Sequence, residues 1–156
     1  MMKTAIPKAL MTLLSGEKLK DKQREAFLLQ TVNEDGWPHS AMISVGEVLA
    51  ADPYTFQMML WPNTMTTINL IRSKKAQLVI IHQGLVYYIK LRTKHYPAIN
   101  SDIHTGERFS AHIHALKIDQ AKYAEIESGI QVRLHNPDSV IDRWQAQVEV
   151  LKHDPY

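Results

Sequence analysis

A short polar segment between two apolar stretches is well suited to bind an anion. After Pro62, four short hydrogen-bonding side chains occur within five positions: Asn63, Thr64, Thr66 and Thr67. Asn63 or Thr64 is a good N-cap for a helix that runs to about Ser73. The free N–H groups at the positive end of such a helix attract phosphate, and the hydroxyls add further donors. A helix that is merely well capped has the same sequence pattern, so spacing alone leaves both interpretations open.

A second segment has the residue types that a flat aromatic ligand needs beside a strand. Residues 37–50 alternate, so that Ser40 and Met42 point to one side and Ala41 and Ile43 to the other. Small side chains at such positions leave main-chain groups accessible to a planar ring. Alternating Ser and Ala also occur on many half-buried strands, so this pattern is weak evidence when it stands alone.

Other catalytic and metal-binding patterns are missing or incomplete. The chain has no cysteine, which excludes disulfides, thiolate metal sites and a cysteine nucleophile, and fits a cytoplasmic location. No HExxH, Gly-x-Ser-x-Gly or glycine-rich phosphate loop is present. His112 and His114 share one face of a predicted strand but have no evident third ligand, so surface histidines are favoured over a zinc site. We therefore expect no metal and assign no catalytic residue.

Composition narrows the function classes further. The 156 residues carry a formal net charge of +2 and are 45% hydrophobic and 22% charged, as in an ordinary globular protein. A small and scattered positive charge does not predict binding to nucleic acid. No apolar run reaches the roughly 20 residues of a membrane helix. Residues 1–156 are predicted to form a single domain without repeats or linkers.

The remaining pattern is one of strands joined by turns. Strands are predicted over residues 25–33, 37–50, 54–61, 76–82, 85–96, 108–118 and 130–134. The nearly continuous apolar run at 76–82 is typical of a strand buried on both faces. Helices are predicted over residues 6–14, 64–73, 119–128 and 139–152, with an irregular stretch at 97–105. This arrangement predicts a mainly β protein with peripheral helices around one antiparallel barrel.

Residues 27–81 resemble the FMN-binding split-barrel family that is related to pyridoxamine 5′-phosphate oxidase. The matching features are a strand followed by Asn-Glu-Asp-Gly, a next strand opened by Gly-Trp-Pro-His-Ser, an aromatic strand, the polar turn at 63–67 and an apolar strand. Residues 109–129 also resemble the end of small family members. The resemblance implies a split antiparallel β-barrel of the FMN-binding type, with a homodimer that holds FMN in two grooves between its subunits.

Carried over position by position, the resemblance assigns FMN to two segments of this chain. The isoalloxazine ring would lie along His39, Ser40, Ala41, Met42 and Ile43. The ribityl phosphate would be surrounded by Leu60, Trp61, Asn63, Thr64, Met65, Thr66 and Thr67.

The chain departs from the oxidase at positions that matter for binding phosphate. Ala41 stands where the oxidase has an Arg, and Met65 and Thr66 stand where it has an Arg-Lys pair. Each charge-assisted hydrogen bond lost in this way is worth roughly 1.5–3 kcal/mol. A cationic C-terminal region for the substrate is also not evident. These departures argue against oxidation of pyridoxamine phosphate itself.

The sequence therefore predicts an FMN-binding homodimer that acts as a flavin-dependent oxidoreductase, with an unknown substrate and electron donor. Two alternatives stay open. The protein could bind or sense a flavin or another small ligand without catalysis, or it could be a cofactor-free structural dimer of the same fold. Arg72, Lys74, Lys90 and Arg92 are candidates to replace the missing cations, but the sequence does not place them in space.

Overall fold

A computed structural model describes residues 5–100 and 105–153 of the chain. The helices are α1 (Lys8–Leu13), α2 (Met65–Ser73) and α3 (Pro137–Lys152), and a 3₁₀ turn spans Leu19–Lys22. The strands are β1 (Glu25–Val32), β2 (Pro38–Ser44), β3 (Val48–Asp52), β4 (Thr55–Leu60), β5 (Lys75–His82), β6 (Leu85–Asn100), β7 (Thr105–Asp119) and β8 (Ile130–Gln131).

The strands of the described residues form one curled antiparallel sheet, a half-barrel. Their order is β2-β1-β5-β6-β7-β4-β3, with β8 paired to β1. Strands β2 and β3 are consecutive along the chain but lie at opposite edges of this sheet. The architecture confirms the prediction of a mainly β split barrel with peripheral helices.

The hydrophobic core lies between one face of the sheet and helices α1 and α3. Phe27, Phe56 and Phe109 come from three different strands and are completely or almost completely buried. Helix α3 packs against β3 and β4 and buries Trp144 and Val148. Burial of such large side chains is the main favourable contribution to folding. The core therefore holds α3 firmly over the end of the sheet where β2 turns into β3.

The strand predicted over residues 37–50 is broken into β2 and β3, so this prediction was wrong in its middle. A tight turn separates them, in which the N–H of Glu47 donates to the carbonyl of Ser44 over 3.1 Å. Gly46 lies in this turn directly beneath the indole ring of Trp144. The reversal depends on this tertiary contact with α3, which local alternation does not reveal.

The helix predicted over residues 119–128 is absent. The segment that follows β7 is irregular and mostly exposed, and the Tyr123 side chain is 99% exposed. A short helix in water is stable only when it buries an apolar face, and this segment has none to bury. The strand expected at 130–134 is reduced to Ile130–Gln131, which pairs with the start of β1.

Two further expectations need correction. The stretch at 97–105 is not irregular where it is described, because β6 continues to Asn100 and β7 begins at Thr105. Residues 101–104 lie outside the described residues. In β5, Leu78 and Ile80 are buried, but Val79 and Ile81 on the opposite face are only half-buried. One face of this strand is therefore open in the isolated chain.

Helices long and apolar enough to cross a membrane were not found among residues 5–100 and 105–153.

Candidate functional site

The polar turn before α2 forms the capped helix start that the sequence predicts. Thr64 is the N-cap, and its Oγ1 accepts a hydrogen bond from the N–H of Thr67 over 3.1 Å. The Thr67 hydroxyl donates to the carbonyl of Trp61 over 2.6 Å. The hydroxyls of Thr64 and Thr67 are thus used inside the turn, and the side chain of Thr66 is buried. A ligand at this turn would meet main-chain groups more readily than these hydroxyls.

Two main-chain N–H groups are available at the same turn. The N–H groups of Thr67 and Ile68 are bonded to Thr64. Those of Met65 and Thr66 have no acceptor within the part of the chain that is described. They lie at the positive end of the nine-residue helix α2. Unsatisfied donors at a helix N-terminus are a suitable site for a phosphate or a carboxylate.

A cation from a distant part of the sequence lies beside this turn. The Arg143 guanidinium of α3 is 5.3 Å from the centroid of the Trp61 ring, a distance typical of a cation–π contact. Trp61 is the residue whose carbonyl anchors the turn. Sequence reasoning missed Arg143, since no local pattern links it to residues 61–67. It is a charged group that could partner a phosphate where the oxidase has its Arg-Lys pair.

The β2–β3 turn contributes a carboxylate to the same region. An oxygen of Glu47 accepts hydrogen bonds from the Ser44 N–H over 3.0 Å and from the Ser44 hydroxyl over 2.8 Å. Burial raises the pKa of Glu47 above its ordinary value, while these hydrogen bonds and the nearby Arg143 guanidinium partly oppose the rise. Arg143 therefore lies near both turns, the one before α2 and the one between β2 and β3.

The raised pKa of Glu47 predicts a pH-dependent stability. Because the folded state holds the Glu47 proton more tightly than the unfolded state does, the free energy of unfolding falls as the pH rises from about 4.5 through the folded pKa. This contribution is fully present below pH 4.5 and is lost once the buried carboxyl ionises. Urea denaturation of the wild type and of Glu47→Gln between pH 4 and pH 8 measures the effect. The Gln variant keeps an acceptor for Ser44 and should lack this component, and identical pH profiles would contradict the assignment.

The strand predicted to carry the flavin ring is at an edge of the sheet. Ser40 and Met42 point outward and are exposed, His39 and Ala41 are half-buried, and Ile43 is in the core. Among the described strands β2 pairs only with β1, so the main-chain groups along its other edge have no partner in the described part of the sheet. These groups are accessible to a planar ligand, as the flavin position inferred from the sequence requires.

Helix α2 brings the two predicted segments together. It packs against β1 and β2, and its buried Asn69 donates to the Thr31 hydroxyl over 3.0 Å and to the Asn33 side chain over 2.9 Å. Arg72 in turn donates to Asn69 over 2.9 Å. These contacts fix α2 on the end of β1 and commit Arg72 to a structural role. Arg72 is thereby a poor choice as a phosphate ligand.

Several predicted site residues face the core and can offer a ligand only their main chain. Leu60 is 5% exposed at the end of β4, and Ile43, Thr66 and Thr67 are also buried. Asn63 is exposed and has a positive φ of 61° just before the helix cap. The exposed members that can touch a ligand with their side chains are Ser40, Met42, Trp61, Asn63 and Met65.

Large apolar side chains are exposed on β2, on α2 and on the turn before α2. The contributing side chains are each between 43% and 60% exposed: Met42, Trp61, Met65, Ile68 and Ile71. On α2, Met65, Ile68 and Ile71 follow one another at three-residue intervals and so lie on one side of the helix. The sequence gives Ile68, Leu70 and Ile71 as the apolar positions of this helix, and of these three only Leu70 is buried. Exposed apolar side chains grouped in this way are typical of surfaces that bind a partner or a ligand.

The histidines form no metal site among the described residues. Nδ1 of His112 lies 3.2 Å from the hydroxyl of Thr55, and no group of three metal-ligating side chains occurs within residues 5–100 and 105–153. His114 is at a bulge in the β6–β7 ladder, where the register steps by one residue. The expected absence of a metal stays a prediction.

Comparison with known proteins identifies a relative of this chain. No protein-family model matches the chain. It is 46% identical over 143 residues to the uncharacterized protein YclD of Bacillus subtilis, covering 92% of this chain and 93% of YclD.

Solved structures share the fold at low sequence identity. A candidate pyridoxamine 5′-phosphate oxidase from Lactobacillus delbrueckii matches with a TM-score of 0.59 at 14% identity, over 75% of this chain and 99% of that one. HupZ from Group A Streptococcus matches with a TM-score of 0.54 at 13% identity, over 82% of this chain and 99% of that one. A candidate pyridoxamine 5′-phosphate oxidase from Listeria innocua matches with a TM-score of 0.51 at 13% identity, over 72% and 97%. The chain therefore belongs to the same family as YclD and has the split-barrel fold of pyridoxamine 5′-phosphate oxidase-like proteins.

Proposed function

We propose that this protein binds FMN between β2 and the start of α2 and that it works as a homodimer. The observation that carries the proposal is the pair of N–H groups of Met65 and Thr66, which have no acceptor among the described residues, at a turn whose Trp61 ring lies 5.3 Å from the Arg143 guanidinium. The fold supports it, because structural relatives include proteins described as candidate pyridoxamine 5′-phosphate oxidases.

The phosphate end of FMN fits the turn before α2. A dianionic phosphate would accept hydrogen bonds from the N–H groups of Met65 and Thr66 at the positive helix end. Arg143 would supply a cation in place of the Arg-Lys pair that the resemblance leads one to expect. Asn63 is exposed at the same turn and adds an amide donor.

The ring end of FMN fits β2. The free edge of this strand offers main-chain N–H and C=O groups, which match the donors and acceptors on the pyrimidine side of an isoalloxazine ring. Exposed Met42 and Trp61 would cover the apolar side of the ring. The small residues Ser40 and Ala41 leave the room that a ring lying against the strand requires.

A second copy of the chain is the proposed cover for the remaining apolar surface. Met65, Ile68 and Ile71 are all exposed along one side of α2. Burial of such a surface favours association at roughly 25 cal/mol per Å² of apolar area. A homodimer in which each FMN lies beside the partner would bury both the ring and this side of α2.

Bound FMN would supply hydride or electron transfer, which makes a flavin-dependent oxidoreductase the proposed class. The protein itself would hold the phosphate, orient the ring against β2 and limit the access of water. No side chain is assigned as an acid or a base. The substrate and the electron donor are not assigned.

Sedimentation velocity tests FMN binding and homodimer formation in one measurement. The purified protein is incubated with excess FMN and followed both by protein absorbance and by flavin absorbance. We expect flavin to co-sediment with a species of twice the mass of the 17.9 kDa chain. Riboflavin, which lacks the phosphate, should bind at least about tenfold more weakly. A boundary without flavin would contradict cofactor binding, and a flavin-loaded species with the mass of one chain would contradict the homodimer.

A further inference from the structure

The amine of Lys22 is hydrogen-bonded to neutral partners at the end of α1. Its Nζ donates to the carbonyl of Thr12 over 2.6 Å and to the hydroxyl of Ser15 over 3.2 Å. Thr12 is in the last turn of α1, and Ser15 follows the end of that helix. Among the described residues, no carboxylate forms an ion pair with Lys22. The amine therefore fixes the end of α1 without a counter-charge in contact with it.

These two hydrogen bonds leave the amine free to act as a nucleophile. An ammonium group has three N–H donors and no lone pair, whereas a neutral amine has two donors and one lone pair. The neutral form of Lys22 can therefore keep its bonds to Thr12 and Ser15 and still present a lone pair to a reactant. Loss of the third proton breaks neither bond.

The surroundings of Lys22 favour the neutral amine. Burial lowers the pKa of Lys22 below its ordinary value. The carboxylate of Glu17 opposes this effect, the ammonium of Lys18 adds to it, and the carboxylate of Asp21 opposes it. Lys152 of α3 differs, because its Nζ lies 2.8 Å from a carboxylate oxygen of Glu17 and this contact raises its pKa. Lys22 is thus more easily deprotonated than an ordinary lysine, and Lys152 is less easily deprotonated.

An open cavity lies beside this amine. It has a volume of about 520 Å³ and is formed by α1, the 3₁₀ turn and the turn between β5 and β6. Lys22 lines it together with the apolar side chains of Ala9 and Leu13. Such a volume is sufficient for a small organic reactant. The residues that are assigned to the flavin do not line this cavity.

The charged groups of the cavity disfavour an anionic reactant. Besides Lys22, its described lining has the carboxylates of Asp21 and Glu25, the ammonium of Lys8 and the imidazole of His82. A phosphate next to the reacting carbon would be repelled by the two carboxylates. A thioester has no charge beside its carbonyl carbon, whereas an acyl phosphate is an anion there. Of these two activated acyl groups, the lining therefore favours the thioester.

We propose that Lys22 is a site of covalent acylation by an uncharged thioester. The Nζ lone pair forms a bond to the acyl carbon and the carbon–sulfur bond breaks. The sulfur leaves with the electron pair of that bond and takes up the proton that the amine loses, so that a thiol is released. The product is an amide with one N–H, which can donate to Thr12 or to Ser15 but not to both. Acylation therefore loosens the end of α1, and this inference does not rest on the binding of FMN.

Brief incubation of the intact protein with S-phenyl thioacetate near neutral pH, followed by mass spectrometry of its peptides, tests the proposal. We expect Lys22 to be acetylated at least about threefold faster than Lys20, which is exposed two residues earlier in the chain. Each unit by which a pKa falls raises the neutral fraction of an amine about tenfold, and its lower basicity offsets part of this gain. Equal rates at the two lysines would overturn the proposal. The preference should disappear in concentrated urea, and a preference that survives unfolding would overturn its assignment to the folded structure.

Two single substitutions should change the acetylation rate of Lys22 in opposite directions. Lys18→Asn removes an ammonium that lowers the pKa of Lys22, and should slow the reaction about twofold. Asparagine tolerates the left-handed backbone of residue 18, where φ is 53°. Glu17→Gln removes a carboxylate that raises the same pKa, and should accelerate the reaction about twofold. Two changes of the same sign, or no change in either variant, would overturn the assignment of the reactivity to these surroundings.

Two further comparisons test the donor and the consequence of the modification. With acetyl phosphate the preference for Lys22 over Lys20 should be smaller, and an equal or larger preference would overturn the assignment to an uncharged donor. After treatment with S-phenyl thioacetate, the wild type should lose more in thermal midpoint than Lys22→Arg, which keeps the charge and has no amine at this position to acylate. Equal losses would overturn the loosening of α1.

Discussion

Replacement of Met65 by glutamate is expected to weaken FMN binding by about ten- to hundredfold and to leave the fold intact. Met65 is the first residue of α2 and is 48% exposed, so the new side chain needs no space in the core. A carboxylate in the first helical turn is itself favourable by roughly 0.3–1 kcal/mol. The same carboxylate would lie against the FMN phosphate and repel it, at a cost of about 1.4–2.7 kcal/mol in binding. Stability and affinity should therefore change in opposite directions.

Fluorescence titrations with FMN and riboflavin separate this effect from general damage. Met65→Glu should lose much more affinity for FMN than for riboflavin, because riboflavin has no phosphate for the new carboxylate to repel. Met65→Gln has a similar shape without the charge and should bind FMN nearly as the wild type does. Met65→Arg restores the cation found in the oxidase and should bind FMN about tenfold more tightly. Equal losses for FMN and riboflavin in Met65→Glu would place the phosphate elsewhere.

The parts of the fold that were predictable depend on local rules. The turn after β1 contains Gly36 at a φ of 88°, and its N–H donates to the carbonyl of Asn33 over 2.8 Å. Few residues other than glycine adopt that backbone conformation, so the turn is readable from the sequence. The start of α2 is equally local. Its N-cap Thr64 accepts a hydrogen bond from the N–H of Thr67, three residues further along the chain. Alternation then assigns Ser40 and Met42 to one face of β2, as the structure has them.

The parts that were missed depend on contacts between distant residues. Arg143 reaches Trp61 because the buried Trp144 and Val148 fix α3 on the sheet. The spacing of residues around Trp61 or around Arg143 gives no sign that these two side chains meet. The opposition of Lys75 and Arg92 likewise follows from the register of β5 against β6. The sequence offers Arg92 as a candidate phosphate ligand but does not show which residue lies opposite it.

Apolar spacing also does not separate exposed from buried positions on α2. Ile68 and Ile71 are two of the three apolar positions that the sequence gives to α2, yet they are 51% and 43% exposed, and the buried positions include Thr66 and Asn69. A sequence pattern reports which residues avoid water, and it does not distinguish a core from an interface. The proposed dimer accounts for the discrepancy, since association would cover the side of α2 that the single chain leaves open.

Replacement of Gly46 by alanine is expected to lower the free energy of unfolding by about 3 kcal/mol or more. A Cβ at this position would lie 2.0 Å from Cγ of Trp144, and the indole is 3% exposed and cannot retreat without disturbing the core. Overpacking of a tight core typically costs about 1–3 kcal/mol, and a rigid aromatic ring places this site at the upper end of that range. Urea denaturation measures the change.

In Gly46→Ala, the displaced Trp144 should also shift Arg143, its neighbour on α3. Because Arg143 contacts Trp61, this shift would alter the candidate site. Affinity for FMN is then expected to fall together with stability, even though Gly46 itself need not touch the ligand. Gly36→Ala is the matched control: its Cβ meets nothing within 4 Å, and only its φ of +88° opposes the substitution, at about 1 kcal/mol. That variant should bind FMN normally. If Gly46→Ala were no less stable than Gly36→Ala, the close packing of α3 over the β2–β3 turn would be wrong, and with it the placement of Arg143 beside the phosphate turn.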